Sequence, residues 1–263
     1  MSKRHNDPTS NTYRFFVAPD AIRGIAVQID DAALLKQLNT VLRLGVGDAI
    51  TLLDNSGWEY SVSLDQIDRK QVRGTVMERT LARTEPRLRL ALYVALMRAE
   101  RFEWVLQKGT ELGVATFVPV VCERSKVDEI AQIKHTKLQR WQRIIAEAAE
   151  QSRRAVLPTL EPAVLFATAC EYAARCTQSA LLWEGDGAES LTSIAVPIIN
   201  RVGGDPGTVA VLSGPEGGFS RDELRTAQRY GVHLATLGPR TLRAETAPIA
   251  ATSALLFACG DLG

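Results

Sequence analysis

Hydrophobic and polar positions follow one rhythm over roughly the first eighty residues and another beyond them. Short runs rich in β-branched and aromatic residues come first: Tyr13 to Ala18, Ala49 to Leu53, Trp58 to Leu64 and Gln71 to Met77. The turn signals Gly45-Val46-Gly47-Asp48 and Asp54-Asn55-Ser56-Gly57 part them, so the pattern predicts a small β-rich domain, a barrel, over residues 13–82. One helix interrupts it. Leu34, Leu35, Leu38, Val41 and Leu42 recur at helical spacing, which predicts a helix over about Asp31 to Arg43. The polar residues 1–12 predict a flexible tail, and Leu81 to Pro86 a linker.

Over residues 83–263 strands and helices alternate, the sign of a parallel sheet covered by helices. The predicted order is strand Leu88 to Leu96, helix Arg101 to Leu112, strand Thr116 to Val121, helix Lys134 to Arg154 and helix Val164 to Ala174. Strand Ala180 to Trp183, a polar loop, strand Thr208 to Leu212, helix Ser220 to Tyr230, strand Val232 to Leu237 and helix Glu245 to Ala258 complete it. The fold class expected is therefore α/β, with a β-rich domain in front.

Composition narrows the function more than the fold. The 263 residues are 46% hydrophobic and 23% charged, which supplies a buried core and is unlike a disordered chain. Lys and Arg total 31 against 30 Asp and Glu, so phosphate affinity cannot come from whole-chain charge and any nucleic-acid contact must be a local patch. Cys122, Cys170, Cys176 and Cys259 lack a C-x-x-C spacing and the histidines, His5, His135 and His233, are scattered, so neither a zinc site nor a disulfide framework is expected. No run reaches the ~18 apolar residues of a membrane span and residues 1–11 lack the apolar centre of a signal peptide, so a cytoplasmic protein is expected, with no metal and no membrane partner.

Three segments carry candidate chemistry. In the first, a strand from Val209 runs into Ser213-Gly214-Pro215-Glu216-Gly217-Gly218-Phe219, and Ser220 with Glu223 then forms a capping box that opens a helix. A glycine-rich turn at a strand's carboxyl end is where open α/β sheets bind ligands. Neither a P-loop nor G-x-G-x-x-G is present, and Glu216 suits a cationic or hydroxyl-bearing ligand better than a phosphate. In the second, Leu237-Gly238 leads through Leu242-Arg243-Ala244-Glu245-Thr246-Ala247 into another helix, and two such loops after neighbouring strands favour a shared pocket. The third joins Gln107, Lys108 and Glu111 on one helix with Glu123-Arg124-Ser125 after a strand. Charges of this kind are as readily a solvated face as a site.

Taken in order, Arg14-Phe-Phe-Val17, Glu103-Trp-Val-Leu-Gln-Lys108, Thr110-Glu-Leu-Gly-Val114, Pro119 with Glu123-Arg-Ser125, Ala149-Glu-Gln-Ser-Arg153, Gly214-Pro-Glu-Gly-Gly-Phe219 and Leu242-Arg-Ala-Glu-Thr-Ala247 resemble the bacterial 16S rRNA uracil-N3 methyltransferases of the SPOUT superfamily. The resemblance runs from Tyr13 to Ala258. It implies an N-terminal PUA-like β-barrel that binds RNA, a C-terminal SPOUT α/β domain with a deep trefoil knot, S-adenosyl-L-methionine as cofactor and one uridine of 16S rRNA in the small ribosomal subunit as target. It also implies a homodimer, for which the final helix offers Ile249, Ala250, Leu255, Leu256 and Phe257, more apolar surface than one packed face needs. The chain departs from the family at Asn39, where a His is usual, and at Arg98, where the basic residue is usually Lys.

On this reading the cofactor pocket comprises Leu181, Trp183 and Glu184; Leu212, Ser213, Gly214, Glu216, Gly217 and Gly218; and Leu237, Gly238, Leu242, Arg243, Ala244, Thr246 and Ala247. Arg124 is the candidate for stabilising charge on the uracil oxygens, and Glu111 or Glu245 for accepting its N3 proton. Arg14, Arg23, Arg43, Lys108, Arg153 and Arg154 are the candidate RNA contacts. A SPOUT ribose 2′-O-methyltransferase and a non-catalytic rRNA-binding assembly factor are the alternatives.

Overall fold

The computed structural model describes residues 13–125, 133–199 and 207–262, so the expected tail lies outside the described residues. The chain divides into two compact units. One runs to Glu85 and takes in Arg153–Val156; the other is made of Pro86–Ser152 and the chain from Leu157 on.

The first unit holds strands β1 (Arg14–Phe16), β2 (Ile22–Arg23) and β3 (Ala26–Ile29), helix α1 (Ala32–Lys36), and strands β4 (Ala49–Leu53), β5 (Trp58–Ile67) and β6 (Val72–Leu81). They form one six-stranded sheet in the order β1-β4-β5-β6-β3-β2, parallel only between β1 and β4. Phe15, Val27, Leu38, Ile50, Leu52, Val62, Leu64 and Val72 make its core. The β2–β3 hairpin was not part of the expected pattern; it turns at Gly24, whose φ of 63° a residue with a Cβ adopts only at a cost. Asp31 caps α1 by accepting from the Leu34 N–H at 2.8 Å, and the helix then widens into a π-turn over Gln37–Val41. Asn39 donates from Nδ2 to the carbonyls of Leu35 (2.9 Å) and Asp68 (3.1 Å), so the position at which the chain departs from the family pins this helix to the β5–β6 turn.

Two expected RNA contacts are instead internal ion pairs of this unit. Arg14 lays both terminal nitrogens on the Glu59 carboxylate at 3.1 and 2.7 Å, with its side chain 14% exposed. Arg154 is buried, and its Nη2 lies 2.7 Å from Glu85 Oε2, while Glu85 Oε1 also accepts the N–H groups of Ala155 and Val156. Neither guanidinium can leave its carboxylate for a phosphate without stranding a charge.

The second unit is built on strands β7 (Arg89–Ala95), β8 (Thr116–Val121), β9 (Thr159–Leu160), β10 (Val164–Leu165), β11 (Gln178–Leu182), β12 (Glu189–Ser190), β13 (Thr208–Ser213) and β14 (His233–Thr236). All pair in parallel, in the order β10-β8-β7-β13-β11-β14-β12 with β9 beside β8. The helices are α2 (Ala99–Leu112), α3 (His135–Gln151), α4 (Phe166–Ala173), α5 (Leu191–Ile199), α6 (Arg221–Arg229) and α7 (Thr246–Ala258). Strand alternation sorts them into layers. Leu88, Leu90, Leu92, Val94 and Leu96 face a core shared with residues of α2, α3, α5 and α7. Ala91, Tyr93 and Ala95 face the opposite core, with Phe166, Ala169 and Cys170 of α4 and Ala227 of α6.

Helix α5 occupies part of the stretch expected to be a polar loop. Leu191, Ile194, Ala195 and Ile198 are buried at i, i+3, i+4 and i+7, so the helical signal was present. Its β-branched residues and Pro197 masked it. Helix α3 also stops short of the expected end: Ser152 closes it, Arg153 takes φ 61°, and the Arg153–Arg154 pair lies beyond the last turn.

Arg154→Ala should lower stability by about 3 kcal/mol, because it leaves Glu85 without its ion-pair partner. Urea unfolding measures this, and a change within 0.5 kcal/mol of zero, roughly that of an ordinary surface site, would contradict the assignment.

Candidate functional site

Parallel pairing sends the carboxyl ends of β8, β7, β13, β11 and β14 to one edge of the sheet, and the loops that follow them meet there. A cleft of about 300 Å³ opens at that edge. Leu182 at the end of β11 lines it with Glu184; Ser213 at the end of β13 with Gly214, Pro215, Glu216, Gly218 and Phe219; Thr241, Leu242, Arg243, Ala244 and Ala247 follow after β14; and Arg101 projects from α2. A recess of about 50 Å³, walled by Trp183, Thr236, Leu237, Gly238 and Arg240, shares Leu182, Glu184, Leu242 and Ala247 with it.

The period-two alternation of strands decides which expected residues reach this space. Leu181 and Leu212 turn into the core beside Ala210 and Phe219, while their neighbours Leu182 and Ser213 line the cleft. Thr246, the first residue of α7, is not among the lining residues, nor is Gly217. A Cβ on Gly217 would stand 3.1 Å from Arg124 Cβ, so its small size makes room for the Arg124 stem and not for a ligand. Gly218 has φ 69°, the left-handed geometry that lets the loop turn back toward the cleft.

Arg101, which the sequence analysis did not single out, lies between two carboxylates. Its Nη1 is 3.7 Å from Glu216 Oε1 and 3.6 Å from Glu245 Oε2. The Arg98 N–H at the start of α2 also donates to Glu216 Oε1, at 3.3 Å. Glu216 Oε2 and Glu245 Oε2 are nevertheless buried with no hydrogen-bond partner among the described residues. Two acceptor oxygens shielded from water beside the cleft, with a single guanidinium to share, suit a ligand that brings hydrogen-bond donors or positive charge. Only its first turn could have flagged Arg101, since the residue is one of several charges on an amphipathic helix.

Glu111 is not brought to the cleft. Lys108 Nζ holds both its oxygens at 2.7 and 3.0 Å, in a separate groove between α2 and α3 lined by Gln107, Ile144, Glu147, Ala148 and Gln151. The same pair occupies Lys108, an expected RNA contact. Arg124 sits in a tight turn after β8, where the Ser125 N–H donates to the Cys122 carbonyl and the Cys122 N–H to Ser125 Oγ, both at 3.0 Å. Its Nη1 donates to the carbonyls of Gly217 (3.0 Å) and Phe219 (3.4 Å). Arg23, Arg43 and Arg153 are exposed.

Burial pushes the Cys122 thiol far up, aided by the adjacent Glu223 charge, and raises Cys170 to about 12. Neither is a thiolate near neutral pH, which removes them as nucleophiles. Among the described residues no group of three or more His, Cys, Asp and Glu could hold a metal ion, and no helix is long and apolar enough to cross a membrane.

A domain family described as RNA methyltransferase domain matches residues 84–256, which spans the parallel sheet and its cleft. The ribosomal RNA small subunit methyltransferase E of Synechocystis is 33% identical over 242 residues, 91% of this chain and 75% of that protein. The enzyme of that name from Neisseria gonorrhoeae, solved bound to S-adenosyl methionine, is 28% identical with a TM-score of 0.79 over 93% of this chain and 96% of its own. A Legionella pneumophila structure in complex with the bound cofactor SAM is 30% identical, with a TM-score of 0.82 over 93% and 96%. The class is that of RNA methyltransferases. Within it, the chain belongs to the ribosomal RNA small subunit methyltransferase E family.

The two loop glycines should fail for different reasons. Gly217→Val should cost about 1–3 kcal/mol by crowding the Arg124 stem, whereas Gly218→Ala, with open space around it, should cost about 1–2 kcal/mol through its positive φ alone. Urea unfolding of both variants checks this, and a loss within about 0.5 kcal/mol of zero for either would contradict its assignment.

Proposed function

We propose that this protein uses S-adenosyl-L-methionine to methylate N3 of one uridine in the 16S rRNA of the small ribosomal subunit. As a member of its family the protein is an S-adenosylmethionine-dependent rRNA methyltransferase. The observation that carries the reading is the strand-end cleft lined by Glu216 and Arg101, where Glu216 and the neighbouring Glu245 each keep a buried oxygen with no hydrogen bond among the described residues. Those residues fit a cofactor with a sulfonium and an ammonium group: the carboxylates offset its positive charge, and the glycine turn admits it without side chains in the way. Bound there, S-adenosylmethionine supplies an electrophilic methyl group.

The chain's own work is then to hold both partners and to manage a proton. The uracil N3–H lies on the pairing edge, so the base must leave its stack and lose that proton as charge spreads to the flanking oxygens. Of the two carboxylates considered for the proton, Glu245 is the one that meets Arg101 of the cleft wall. Arg124 commits Nη1 to the Gly217 and Phe219 carbonyls, while among the described residues nothing accepts from its Nε or Nη2. Those donors are the ones suited to the uracil oxygens. Arg23, Arg43 and Arg153 are the RNA contacts that exposure supports.

The same reading carries a PUA-like barrel over residues 13–82 that binds RNA, a knotted SPOUT domain over residues 83–263, and a cytoplasmic homodimer. Leu255 and Leu256 of α7 are spent in the protein's own core, but Phe257 is 71% exposed and Trp104 of the neighbouring α2 is 41% exposed, which supports an apolar dimer face.

Methylated small subunits digested to nucleosides should yield 3-methyluridine. A 2′-O-methylated nucleoside as sole product would assign the chain to the ribose-methylating class, and no incorporation at all would favour the assembly factor. Light scattering at micromolar concentration should give twice the chain mass; a monomer would remove the dimer.

A further inference from the structure

Glu223 is one of the few buried charged side chains, and it uses each of its oxygens differently. Oε2 accepts the Ser220 N–H at 2.8 Å, while Ser220 Oγ accepts the Glu223 N–H at 3.3 Å, which together make the capping box of α6. A capping box needs no more than that, and Gln serves as well as Glu. Oε1, however, accepts the N–H of Glu123 at 2.9 Å, from a residue one hundred positions upstream in the turn after β8. That turn carries Arg124, whose Nη1 reaches back to the Gly217 and Phe219 carbonyls. The β8 turn and the glycine loop are thus joined by two opposed contacts. A backbone donor of the turn is held by a side chain of α6, and a side chain of the turn is held by backbone acceptors of the loop. Cys122, beside Glu223, keeps its thiol neutral, so no second negative charge weakens the carboxylate.

We infer that Glu223 is a positioning residue for methyl transfer: its second oxygen fixes the Arg124 turn against the loop that walls the cofactor cleft. This rests on the reading of Arg124 and the cleft given above. Only an acceptor on both sides of the carboxyl group satisfies two N–H donors. Gln offers one oxygen and turns its NH2 toward the other donor, which must then move away. The turn loses its anchor, and with it the placement of Arg124 Nε and Nη2. A shift of about 1 Å at such a group costs about a hundredfold in rate.

The test measures methyl transfer to small subunits by Glu223→Gln, Arg124→Ala and the double variant, with circular dichroism as the check on folding. Glu223→Gln should lower kcat at least tenfold while KM for S-adenosylmethionine moves less than threefold, and adding it to Arg124→Ala should change kcat less than twofold. Ser220→Ala, which removes the other half of the capping box, should lower Tm and leave kcat unchanged. If Glu223→Gln does not fold, Glu223→Asp, which keeps both oxygens but falls short of Glu123, should show the same kcat loss. Full turnover in the folded Gln or Asp variant, or losses that multiply in the double variant, would overturn the inference. Absence of methyl transfer by the unaltered protein would instead overturn the proposed function itself.

Discussion

Parallel pairing of β8, β7, β13, β11 and β14 is the constraint on which everything at the site depends. Hydrogen bonding in one direction forces five strand ends, drawn from residues 95 to 236, onto a single edge. The loops that follow carry Arg98, Arg124, Glu184, Glu216 and Glu245, which sequence distance alone would never associate. An antiparallel sheet of the same strands would divide them between two edges. Both faces of the sheet are covered, so alternate residues of β7 serve two different cores, and the described strands open to a ligand at their carboxyl edge.

The cleft is assembled by charges that are shared and not matched one to one. Arg101 lies between Glu216 and Glu245, at distances longer than a hydrogen bond, and the pair of carboxylates exceeds it by one charge. Elsewhere the accounts are closed: Arg14 with Glu59, Arg154 with Glu85 and Lys108 with Glu111. In a chain of net charge +1, Arg101 thus stands as one guanidinium shared by two carboxylates at the cleft. Local imbalance, not total charge, sets the field a ligand meets.

Much of this was legible along the chain, for reasons that are local. Helical spacing, strand runs and the Ser220–Glu223 box depend on neighbours within a few residues, and the structure has the capping box where the spacing placed it. The glycine loop and the Leu237–Ala247 loop could be picked out because each follows a strand. What misled was chemistry that reads the same in two contexts. Leu191–Ile199 carries helical spacing in residues that favour strands, and Glu111 and Arg154 look like available charges until their partners are known.

By itself, then, the sequence determined the alternation of elements, the turn glycines and the candidate loops, since backbone preference and side-chain periodicity act over short range. Tertiary structure decided which of two adjacent residues faces the cleft, Leu182 and not Leu181, because that follows from strand register. It decided also which charges are spent. Arg154 meets Glu85 across 69 positions, Glu223 meets Glu123 across 100 and Arg98 meets Glu216 across 118. Ion pairs and buried hydrogen bonds act over a few ångströms, and only the folded chain brings such distant positions within that range.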